Sequence, residues 1–486
     1  MTSAMHESKP KHIHLSGICG TAMASLAGLL REKGCRVTGS DAAAYPPMSD
    51  LLREMGVPVA QPYAEANLDP QPNLVVIGNA LSRGNPEVER VLDERIPFTS
   101  MAAVLREEFL AGRESLVVAG THGKTTTTSM LAWIYQTASC DNPALEPSFL
   151  IGGVAENFGT SYQLRPTHSF LLEGDEYDTA FFDKGPKFLH YFPDGLILTS
   201  VEFDHADIYA DLEAVKLAFK RLVNLIPRRG VIVAYDGSEN VSECVSKALC
   251  RVERYGFTQG ADWRIENLRH DRGKSLWEVH HEGKLWAELE MQVAGEHNVL
   301  NATAAAALAA NYGVPVAAIQ AALASFLSVK RRLEVRDVID GITIIDDFAH
   351  HPTAIRETLK ALRQTYPNAR LWAVLEPRSN TLRRNVFQQE LIESLALADQ
   401  VILAAVYQQQ RIPERERLHP EQVIAALNET GTPAELCADV AAIVDTLDSQ
   451  IQSGDVVAIL SNGGFDGIYD KLPARLAQRR GALAQT

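Results

Sequence analysis

The chain has no long apolar run, and no stretch approaches the ~18 consecutive apolar residues of a membrane-spanning helix. Its first residues, MTSAMHESKPKHIHLSG, contain no apolar signal core. Cysteine is also scarce, with six residues scattered along the sequence and no C-x-x-C pair. A disulfide framework or a zinc cluster is therefore not expected, and the chain is predicted to be cytoplasmic with reduced thiols.

Basic side chains are outnumbered by acidic ones. The 486 residues include 46 Lys and Arg against 61 Asp and Glu, which gives a formal net charge of −15. Because proteins that bind nucleic acid need a basic surface to hold phosphates, this balance argues against general nucleic-acid binding. It leaves room for a local basic pocket that binds a nucleotide.

Strands alternate with helices along the whole chain, a pattern typical of parallel α/β sheets. At roughly 100–200 residues per domain, the length predicts about three domains, which we delimit as 1–110, 111–329 and 330–486. The first and third are expected to be Rossmann-like. The second is expected to add an antiparallel hairpin that turns at Glu282 and Gly283, and residues 408–422 are expected to form a polar loop.

The stretch VVAGTHGKTTTTSM looks like a phosphate-binding loop, but it is shorter than the common G-x-x-x-x-G-K-[ST] pattern. A strand precedes it and a helix follows, so backbone N–H groups and the positive helix end would face an anion. Lys124 would add a charge for the outer phosphates, and Thr125 or Thr126 a hydroxyl for magnesium. The plainer alternative is a turn with a solvated lysine. The predicted ATP-binding loop consists of Gly120, Thr121, His122, Gly123, Lys124, Thr125 and Thr126.

Two residues after other strands converge on this loop. Glu173 follows the apolar strand SFLL, and His205 follows GLILTSV. In a parallel sheet both would lie at the same carboxyl edge as the loop. Glu173 is predicted to bind magnesium, and His205 to reach a second metal ion or a phosphate. Alone, they would be a solvated acidic turn and a structural histidine. With Lys124 they predict a central P-loop-type ATP-binding domain with two flanking domains, which is the organisation of a ligase.

Six segments together resemble the Mur ligase family, in order and over nearly the whole chain: GTHGKTTT, EGDEYD, DHAD, GEHNVLNATAA, RRLEV and DDFAHHPTAI. That family consists of ATP-dependent, amide-forming enzymes of bacterial cell-wall synthesis. The resemblance implies an ADP-forming ligase with ATP as co-substrate and one or two Mg²⁺ ions. It also implies UDP-N-acetylmuramate as the carboxylate substrate, and it leaves protein partners open.

Two branches of the family differ in the amine that they join to this UDP-sugar. The segments GICGTAM, GSDAAAYPPMSDLL, EGDEYDTAFFDKGPKFLHY, VEFDHADIY and EPRSNTL resemble the branch that attaches a recycled tripeptide, L-alanyl-γ-D-glutamyl-meso-diaminopimelate. The branch that adds L-alanine carries a G-x-G-G-x-G-M turn, in which Cys19 here replaces the middle glycine. That branch is the alternative. Two further alternatives are a folylpolyglutamate synthase, which would lack the UDP-sugar domain, and a nucleotide-binding regulatory protein without turnover.

The resemblance also assigns residues to each substrate. The UDP-sugar is assigned to Gly17, Ile18, Cys19, Gly20, Thr21, Ala22, Met23, Asp41 and Asn79. The ATP site is expected to gain Asn298, Asn301, Arg332 and Asp347. The acceptor peptide is assigned to His350, His351, Arg378, Ser379, Asn380 and Asn462. Without the resemblance, the same positions would be glycine turns, helix caps and loops that bind nothing.

The expected catalytic residues are Lys124, Glu173 and His205, and the expected metal ligands are Thr125, Glu173 and His205. The lactyl carboxylate would attack the γ-phosphate of ATP and the peptide amine would then attack the acyl-phosphate, so no protein nucleophile is required. Several family members carry a carbamylated lysine after the histidine. Lys220 lies at the corresponding spacing and Lys216 one helical turn earlier, but no carbamate is expected here.

Overall fold

The structure is a computed structural model that describes residues 10–44, 48–271 and 273–483. Residues 1–9, where no signal peptide is predicted, and residues 45–47, within GSDAAAYPPMSDLL, lie outside the described residues. Internal contacts divide the chain into two compact units. The first contains the chain up to Val201 with Lys216–Arg264 and Ala304–Ala322, and the second contains Glu202–Val215, Ile265–Thr303 and the chain from Leu323 onward.

Five parallel strands form the first sheet: β1 (His12–Ser16), β2 (Arg36–Ser40), β3 (Val59–Ala60), β4 (Leu74–Ile77) and β5 (Phe98–Ser100). Its helices are α1 (Thr21–Glu32), α2 (Met48–Glu54), α3 (Pro86–Asp93) and α4 (Met101–Leu105). The strand order is β3-β2-β1-β4-β5, so the chain changes direction across the sheet beside β1. Because ligands bind where such a reversal opens a crevice, the turn after β1 is the expected site in this sheet.

The second sheet contains seven strands that lie wholly in the first unit: β6 (Glu114–Ala119), β7 (Ser148–Ala155), β8 (Thr160–Gln163), β9 (Ser169–Gly174), β12 (Gly195–Leu198), β13 (Val231–Tyr235) and β14 (Arg251–Gly256). A separate antiparallel pair consists of β10 (Asp178–Ala180) and β11 (Asp183–Pro186). The order is β14-β13-β12-β6-β9-β7-β8, with only β8 antiparallel among these seven. The loop after β6 therefore emerges between β12 and β9, at the reversal of strand order.

The remaining helices of this segment are α5 (Lys124–Ala138), α6 (Leu212–Val223), α7 (Glu239–Val245), α8 (Glu296–Asn311) and α9 (Val316–Ala324). Strand β15 (Trp263–Asp271) starts parallel to β14, and β16 (Lys274–His281) pairs antiparallel with β17 (Lys284–Met291). The predicted hairpin is confirmed. Glu282 and Gly283 both have positive φ angles, 51° and 74°, as a two-residue hairpin loop requires.

The third sheet lies in the second unit and contains β18 (Glu334–Ile339), β19 (Ile342–Asp347), β20 (Leu371–Leu375), β21 (Gln400–Ala404), β22 (Ala434–Cys437) and β23 (Val456–Leu460). The order is β18-β19-β23-β20-β21-β22, and only β18 is antiparallel. Its helices are α10 (Pro352–Thr365), α11 (Gln388–Leu395), α12 (Pro420–Glu429), α13 (Val440–Gln450) and α14 (Ile468–Leu483).

The third sheet is apolar on both faces. Leu371, Ala373 and Leu375 belong to the core on one face, and Trp372 and Val374 to the core on the other. Strands buried on both sides read as continuous apolar runs, which is why β19, β20, β21 and β23 were predictable from the sequence. The exposed edge strand β18 has no such signal. The prediction of a polar loop over 408–422 is wrong at its end, because α12 begins at Pro420.

The predicted α/β class is confirmed: the first sheet is parallel, and the sheets of the second and third predicted segments are mostly parallel. The boundaries at 110 and 329 stay a prediction. Within the described residues, no helix is both long and apolar enough to cross a membrane.

Candidate active site

The predicted phosphate-binding loop connects strand β6 to helix α5 in the first unit. Gly120 and Gly123 have φ angles of 136° and 79°, in the region that favours glycine. A Cβ on Gly120 would lie 2.2 Å from the Thr199 hydroxyl, so no larger residue fits there without displacement. Gly123 is the N-cap of α5 and offers no side-chain cap. The first N–H groups of the helix are thus available to an anion.

Residues that follow strand β12 hold this loop. The Thr121 N–H donates to the Ser200 carbonyl at 3.0 Å, and the His122 N–H donates to the Ser200 hydroxyl at 2.9 Å. The Thr199 hydroxyl donates to the His122 carbonyl at 2.6 Å. Two neighbouring strands therefore fix the loop conformation, and the glycines are not its only determinant.

The threonines that open helix α5 have different partners. The Thr128 hydroxyl donates to the Lys124 carbonyl of its own helix at 2.8 Å. The Thr125 hydroxyl instead donates to Oε1 of Glu173 at 3.0 Å. Thr126 is buried in the same first turn. The structure thus brings together two of the three predicted metal ligands, Thr125 and Glu173.

Glu173 is held by its second oxygen as well. Oε2 accepts the Gly152 N–H at 2.7 Å, and a Cβ on Gly152 would lie 2.6 Å from that oxygen. Burial raises the pKa of Glu173, while the charge of Lys124 and the two hydrogen bonds act in the opposite direction. The glycine therefore lets the backbone approach a half-buried carboxylate that lies next to a hydroxyl.

Glu176 binds Lys124, a contact that sequence reasoning missed. The Lys124 ammonium lies 2.7 and 3.0 Å from the two Glu176 oxygens and also donates to the carbonyls of Gly120 and Thr121, at 2.7 and 3.2 Å. The segment EGDEYD contains four acids, and nothing in its pattern indicates which one faces the lysine. The path of the backbone after β9 ends at Gly174 decides that Glu176 is the acid that contacts the lysine.

The turn after β1 is tied to the end of β2. Asp41 accepts the Cys19 N–H at 2.9 Å, and helix α1 begins at Thr21 after the N-cap Gly20. Burial and the neighbouring Asp41 raise the pKa of the Cys19 thiol to about 11. Gly17 has a φ of 84°, and a Cβ on it would lie 3.8 Å from the backbone of Gly78. The predicted UDP-sugar residues from Gly17 to Met23 and Asp41 are thus adjacent, and exposed Asn79 follows Gly78.

A buried carboxylate beneath this turn was not predicted. Glu87 is fully buried and accepts the hydroxyls of Ser16 and Ser40 at 2.5 and 2.6 Å and the Asn67 amide at 2.8 Å. Burial alone would raise its pKa, but these hydrogen bonds and one to His14 lower it to about 2. The ends of β1 and β2 are therefore joined through one ionised side chain.

His205 belongs to the second unit and has a left-handed backbone, with a φ of 55°. Its N–H donates to Oδ1 of Asp204 at 2.7 Å, and the Thr381 hydroxyl donates to the same oxygen at 2.5 Å. Burial would raise the pKa of Asp204, but His205, His350 and His351 hold it well below its usual range. The DHAD segment is thus anchored by a buried, ionised aspartate next to the predicted catalytic histidine.

The two predicted acceptor-site histidines have different contacts. His351 caps helix α10: its Nδ1 accepts the Thr353 N–H at 3.3 Å, and its Nε2 lies 3.3 Å from the Phe203 carbonyl. The Nδ1 of His350 lies 2.8 Å from the Phe348 carbonyl, to which it can only donate. Burial lowers the pKa of His350, so the neutral ring is favoured.

Asp347, predicted to reach ATP, accepts three hydrogen bonds within the second unit. They come from the N–H groups of Leu333 and Ala349, at 2.7 and 2.9 Å, and from the Thr358 hydroxyl at 3.0 Å. Arg332, which is also assigned to the ATP site, lies over the Phe348 ring, 5.1 Å from the centroid. Asp347 therefore orders the segment in which Arg332 lies.

The first arginine of RRLEV, Arg331, was not singled out by the sequence. It contacts Asp346 at 3.2 Å and donates to the carbonyls of Ser461 and Gly463, at 2.7 and 2.9 Å. It also stacks near the Tyr469 ring, 5.4 Å from the centroid. Arg331 is thus a packing residue that connects β19 with the loop after β23 and with helix α14.

The remaining acceptor-site residues follow strands β20 and β23. The Arg378 guanidinium lies 3.9 Å from the centroid of the Tyr407 ring and 3.3 Å from Glu376. The Ser379 hydroxyl donates to the His350 carbonyl at 3.2 Å, and Asn380 accepts from Arg383. Among the described residues, the Oδ1 of Asn462 is a buried polar atom with no hydrogen-bond partner. The second unit therefore gathers His350, Arg378, Ser379 and Asn380 at one edge of its sheet.

Two further predicted positions lie in helices. Asn298 and Asn301 are 4% and 6% exposed in α8, and the Asn298 amide donates to the Ala294 carbonyl at 2.8 Å.

Lys216 and Lys220 both bind Glu243, at 2.8 and 2.6 Å. These two bonds lower the pKa of Glu243 to about 2. Both lysines therefore contact the same carboxylate, and the expectation that neither is carbamylated stays a prediction.

Comparisons with known families give a match along nearly all of the chain. The first sheet lies in residues 12–112, which match the Mur ligase family, catalytic domain. Residues 118–309 match the Mur ligase middle domain, and residues 331–463 match the Mur ligase, glutamate ligase domain. The chain is 43% identical, over 96% of its length and 98% of the relative's, to the UDP-N-acetylmuramate–L-alanyl-γ-D-glutamyl-meso-2,6-diaminoheptandioate ligase of Escherichia coli (strain K12).

The chain belongs to the Mur ligase family. A UDP-N-acetylmuramate–L-alanine ligase of Lachnoclostridium phytofermentans is 30% identical over 96% of this chain and 98% of that protein. Among solved structures, a murein peptide ligase from Psychrobacter arcticus is 37% identical, with a TM-score of 0.73 over 96% of this chain and 98% of that one. The Mur ligase resemblance read from the sequence is confirmed, and both branches considered there occur among the relatives.

Proposed function

We propose that this chain is an ATP-dependent, ADP-forming ligase that joins UDP-N-acetylmuramate to L-alanyl-γ-D-glutamyl-meso-diaminopimelate, a tripeptide recovered from the cell wall. The observation that carries the proposal is the 43% identity, over 96% of the chain, to the Escherichia coli ligase named for that reaction. Identity to the L-alanine ligase is lower, at 30%. We assign the reaction to the cytoplasm, which supplies ATP and UDP-sugars.

The first step activates a carboxylate. A lactyl carboxylate oxygen of UDP-N-acetylmuramate attacks the γ-phosphorus of ATP. The bond between this phosphorus and the β,γ-bridging oxygen breaks. ADP is released, and the sugar carboxylate becomes an acyl-phosphate. Lys124 and the N–H groups at the start of α5 stabilise the charge on the transferred phosphoryl group. In this proposal the loop from Gly120 to Thr126 holds the triphosphate.

The pair Thr125 and Glu173 fits a magnesium ion. Hydroxyl and carboxylate oxygens are ligands that Mg²⁺ prefers, and the two side chains are 3.0 Å apart. Burial raises the pKa of Glu173, and a cation beside it would keep the carboxylate ionised. We propose that Thr125, Glu173 and His205 bind one or two Mg²⁺ ions, which when bound neutralise phosphate charge.

The second step forms the amide. The alanyl nitrogen of the peptide, after losing a proton, attacks the acyl carbon, and the tetrahedral intermediate expels phosphate. The acceptor is proposed to lie against His350, His351, Arg378, Ser379, Asn380 and Asn462. Arg378 is the best candidate for a peptide carboxylate, because the Tyr407 ring presents its planar guanidinium in a fixed orientation.

The other substrate contacts remain proposals of the same kind. The glycine turn from Gly17 to Met23, with Asp41 and Asn79, would hold the UDP-sugar through N–H groups at the start of α1. Asn298 and Asn301 would face the adenine. Arg332 and Asp347 would reach the phosphates and ribose of ATP from the domain that starts near residue 330.

The deciding experiment measures phosphate release by the purified protein with Mg²⁺, ATP and UDP-N-acetylmuramate, with either the tripeptide or free L-alanine added. Release that depends on the tripeptide supports the proposal. Release with L-alanine alone would move the chain to the biosynthetic branch. Binding of ATP without release in either reaction would favour a nucleotide-binding protein that has lost turnover.

A further inference from the structure

The ammonium of Lys124 has all its hydrogen-bonding capacity in use. An ammonium has three N–H donors, and here two loop carbonyls and the Glu176 carboxylate accept them. Lys124 is 13% exposed and Glu176 is 2% exposed, so the pair is largely removed from water. A buried ammonium of this kind needs a negative partner, because an unpaired buried charge is strongly destabilising.

Of the partners of Lys124, a bound nucleotide could replace the carboxylate but not the two loop carbonyls. The carbonyls of Gly120 and Thr121 belong to the loop itself and stay beside the lysine. The Glu176 carboxylate is an anion with two oxygens directed at the ammonium, which is the chemistry that phosphate oxygens would also supply. A triphosphate that binds Lys124 therefore has to compete with Glu176.

The neighbouring acids are engaged elsewhere. Asp175 accepts a hydrogen bond from the Lys187 ammonium at 2.7 Å. Glu173 accepts from Thr125 and Gly152. Within EGDEYD, Glu176 is the acid that contacts the lysine of the phosphate-binding loop.

We infer that Glu176 is a positioning residue that holds the Lys124 ammonium in place across the loop, and that Lys124 exchanges the Glu176 carboxylate for phosphate oxygens when ATP binds. The inference rests on the proposed function, since it assumes that the loop binds ATP. Glu176 thereby stabilises the protein before nucleotide arrives and weakens nucleotide binding by the same contact. A purely structural glutamate would have the opposite effect on binding, because its loss would disorder the loop.

The test is the substitution Glu176→Gln, which keeps the size of the side chain and removes its charge. Calorimetric titration with Mg-ATP should give a Kd about tenfold lower than for the wild type, since one competing ion pair is gone. The thermal midpoint without nucleotide should fall, and saturating Mg-ATP should restore most of the difference. Glu176→Asp keeps the charge on a shorter side chain. Its Kd for Mg-ATP and its thermal midpoint should both lie between those of the wild type and Glu176→Gln.

The matched control is Asp175→Asn, which removes one negative charge from the same segment but from the partner of Lys187. Its Kd for Mg-ATP should change by less than that of Glu176→Gln. An unchanged or higher Kd for Glu176→Gln, or an equal gain for Asp175→Asn, would overturn the exchange. A wild type that binds no ATP would overturn both the exchange and the proposed function. A wild type that binds ATP but ligates nothing would overturn the function alone, and the comparison of Kd values would still decide the role of Glu176.

Discussion

At the scale of single residues, Lys124 shows how far residue type and spacing can lead. Its position after a glycine, before a run of threonines and between a strand and a helix predicted a phosphate contact. The contacts add what the sequence lacked, namely that the lysine is buried against Glu176 and the loop carbonyls. The charge of this side chain is therefore maintained by its surroundings, as a phosphate-binding lysine requires.

Lys124→Ala should abolish ligation. Loss of the ammonium removes the charge that stabilises the transferred phosphoryl group, an effect on the order of 10²–10³ or more in kcat. Phosphate release with the tripeptide measures it, and circular dichroism checks that the fold remains. Lys184→Ala is the control, because Lys184 is 68% exposed and pairs with Asp178. Substantial ligation by Lys124→Ala would contradict the assignment of the loop.

At the scale of elements, the segment that begins at Glu202 is fixed by side chains from the start of α10 and the loop after β20. The Thr353 hydroxyl donates to Glu202 at 2.7 Å, and the Thr381 hydroxyl donates to Asp204 at 2.5 Å. Asp204 in turn accepts the N–H of His205, whose backbone is left-handed. The position of the predicted catalytic histidine therefore depends on residues far away in the sequence.

Thr381→Val should lower kcat about tenfold with little change in the KM for ATP. Valine has the shape of threonine but no hydroxyl, so the buried Asp204 loses a hydrogen bond worth about 1.5–3 kcal/mol and its loop loosens. Steady-state kinetics with varied ATP separate the two constants. Thr430→Val is the control, since Thr430 is exposed and its hydroxyl bonds only within its own helix in the described contacts. Equal kinetics for Thr381→Val and the wild type would show that Asp204 does not position His205.

At the scale of the whole molecule, the first and second sheets belong to one compact unit because side chains of β8 pack against helix α1. The Tyr162 ring occupies the space beside Gly28, where a Cβ would lie 2.1 Å from it, and its hydroxyl donates to the Met55 sulfur at 3.1 Å. The Ser25 and Ser161 hydroxyls are 2.7 Å apart. The glycine in the middle of α1 is thus explained by a side chain of the second sheet.

Gly28→Leu should lower the thermal midpoint by several degrees. Replacing a mid-helix glycine gains under about 1 kcal/mol of helix propensity, but displacing Tyr162 costs about 1–3 kcal/mol or more. The KM for UDP-N-acetylmuramate should also rise, because α1 starts at the turn proposed to hold that substrate. Gly260→Leu is the control, since its nearest neighbour to a Cβ is 3.7 Å away. A midpoint equal to that of the wild type would show that this packing does not hold the two sheets together.

Sequence alone determined the α/β class, the central strands, the hairpin at Glu282 and Gly283 and the family, because these depend on local periodicity, turn chemistry and contiguous motifs. It also selected Lys124, Thr125 and Glu173, because Lys124 and Thr125 start the helix after a recognisable strand and Glu173 lies at the end of another. It did not find Glu176, Glu87 or Asp204 as supporting acids, nor the edge strand β18. An acid's role depends on which distant side chain it contacts, and an exposed edge strand has no apolar pattern to mark it. Only tertiary structure decided these partners, because burial makes each charge depend on neighbours that the chain brings together from far apart.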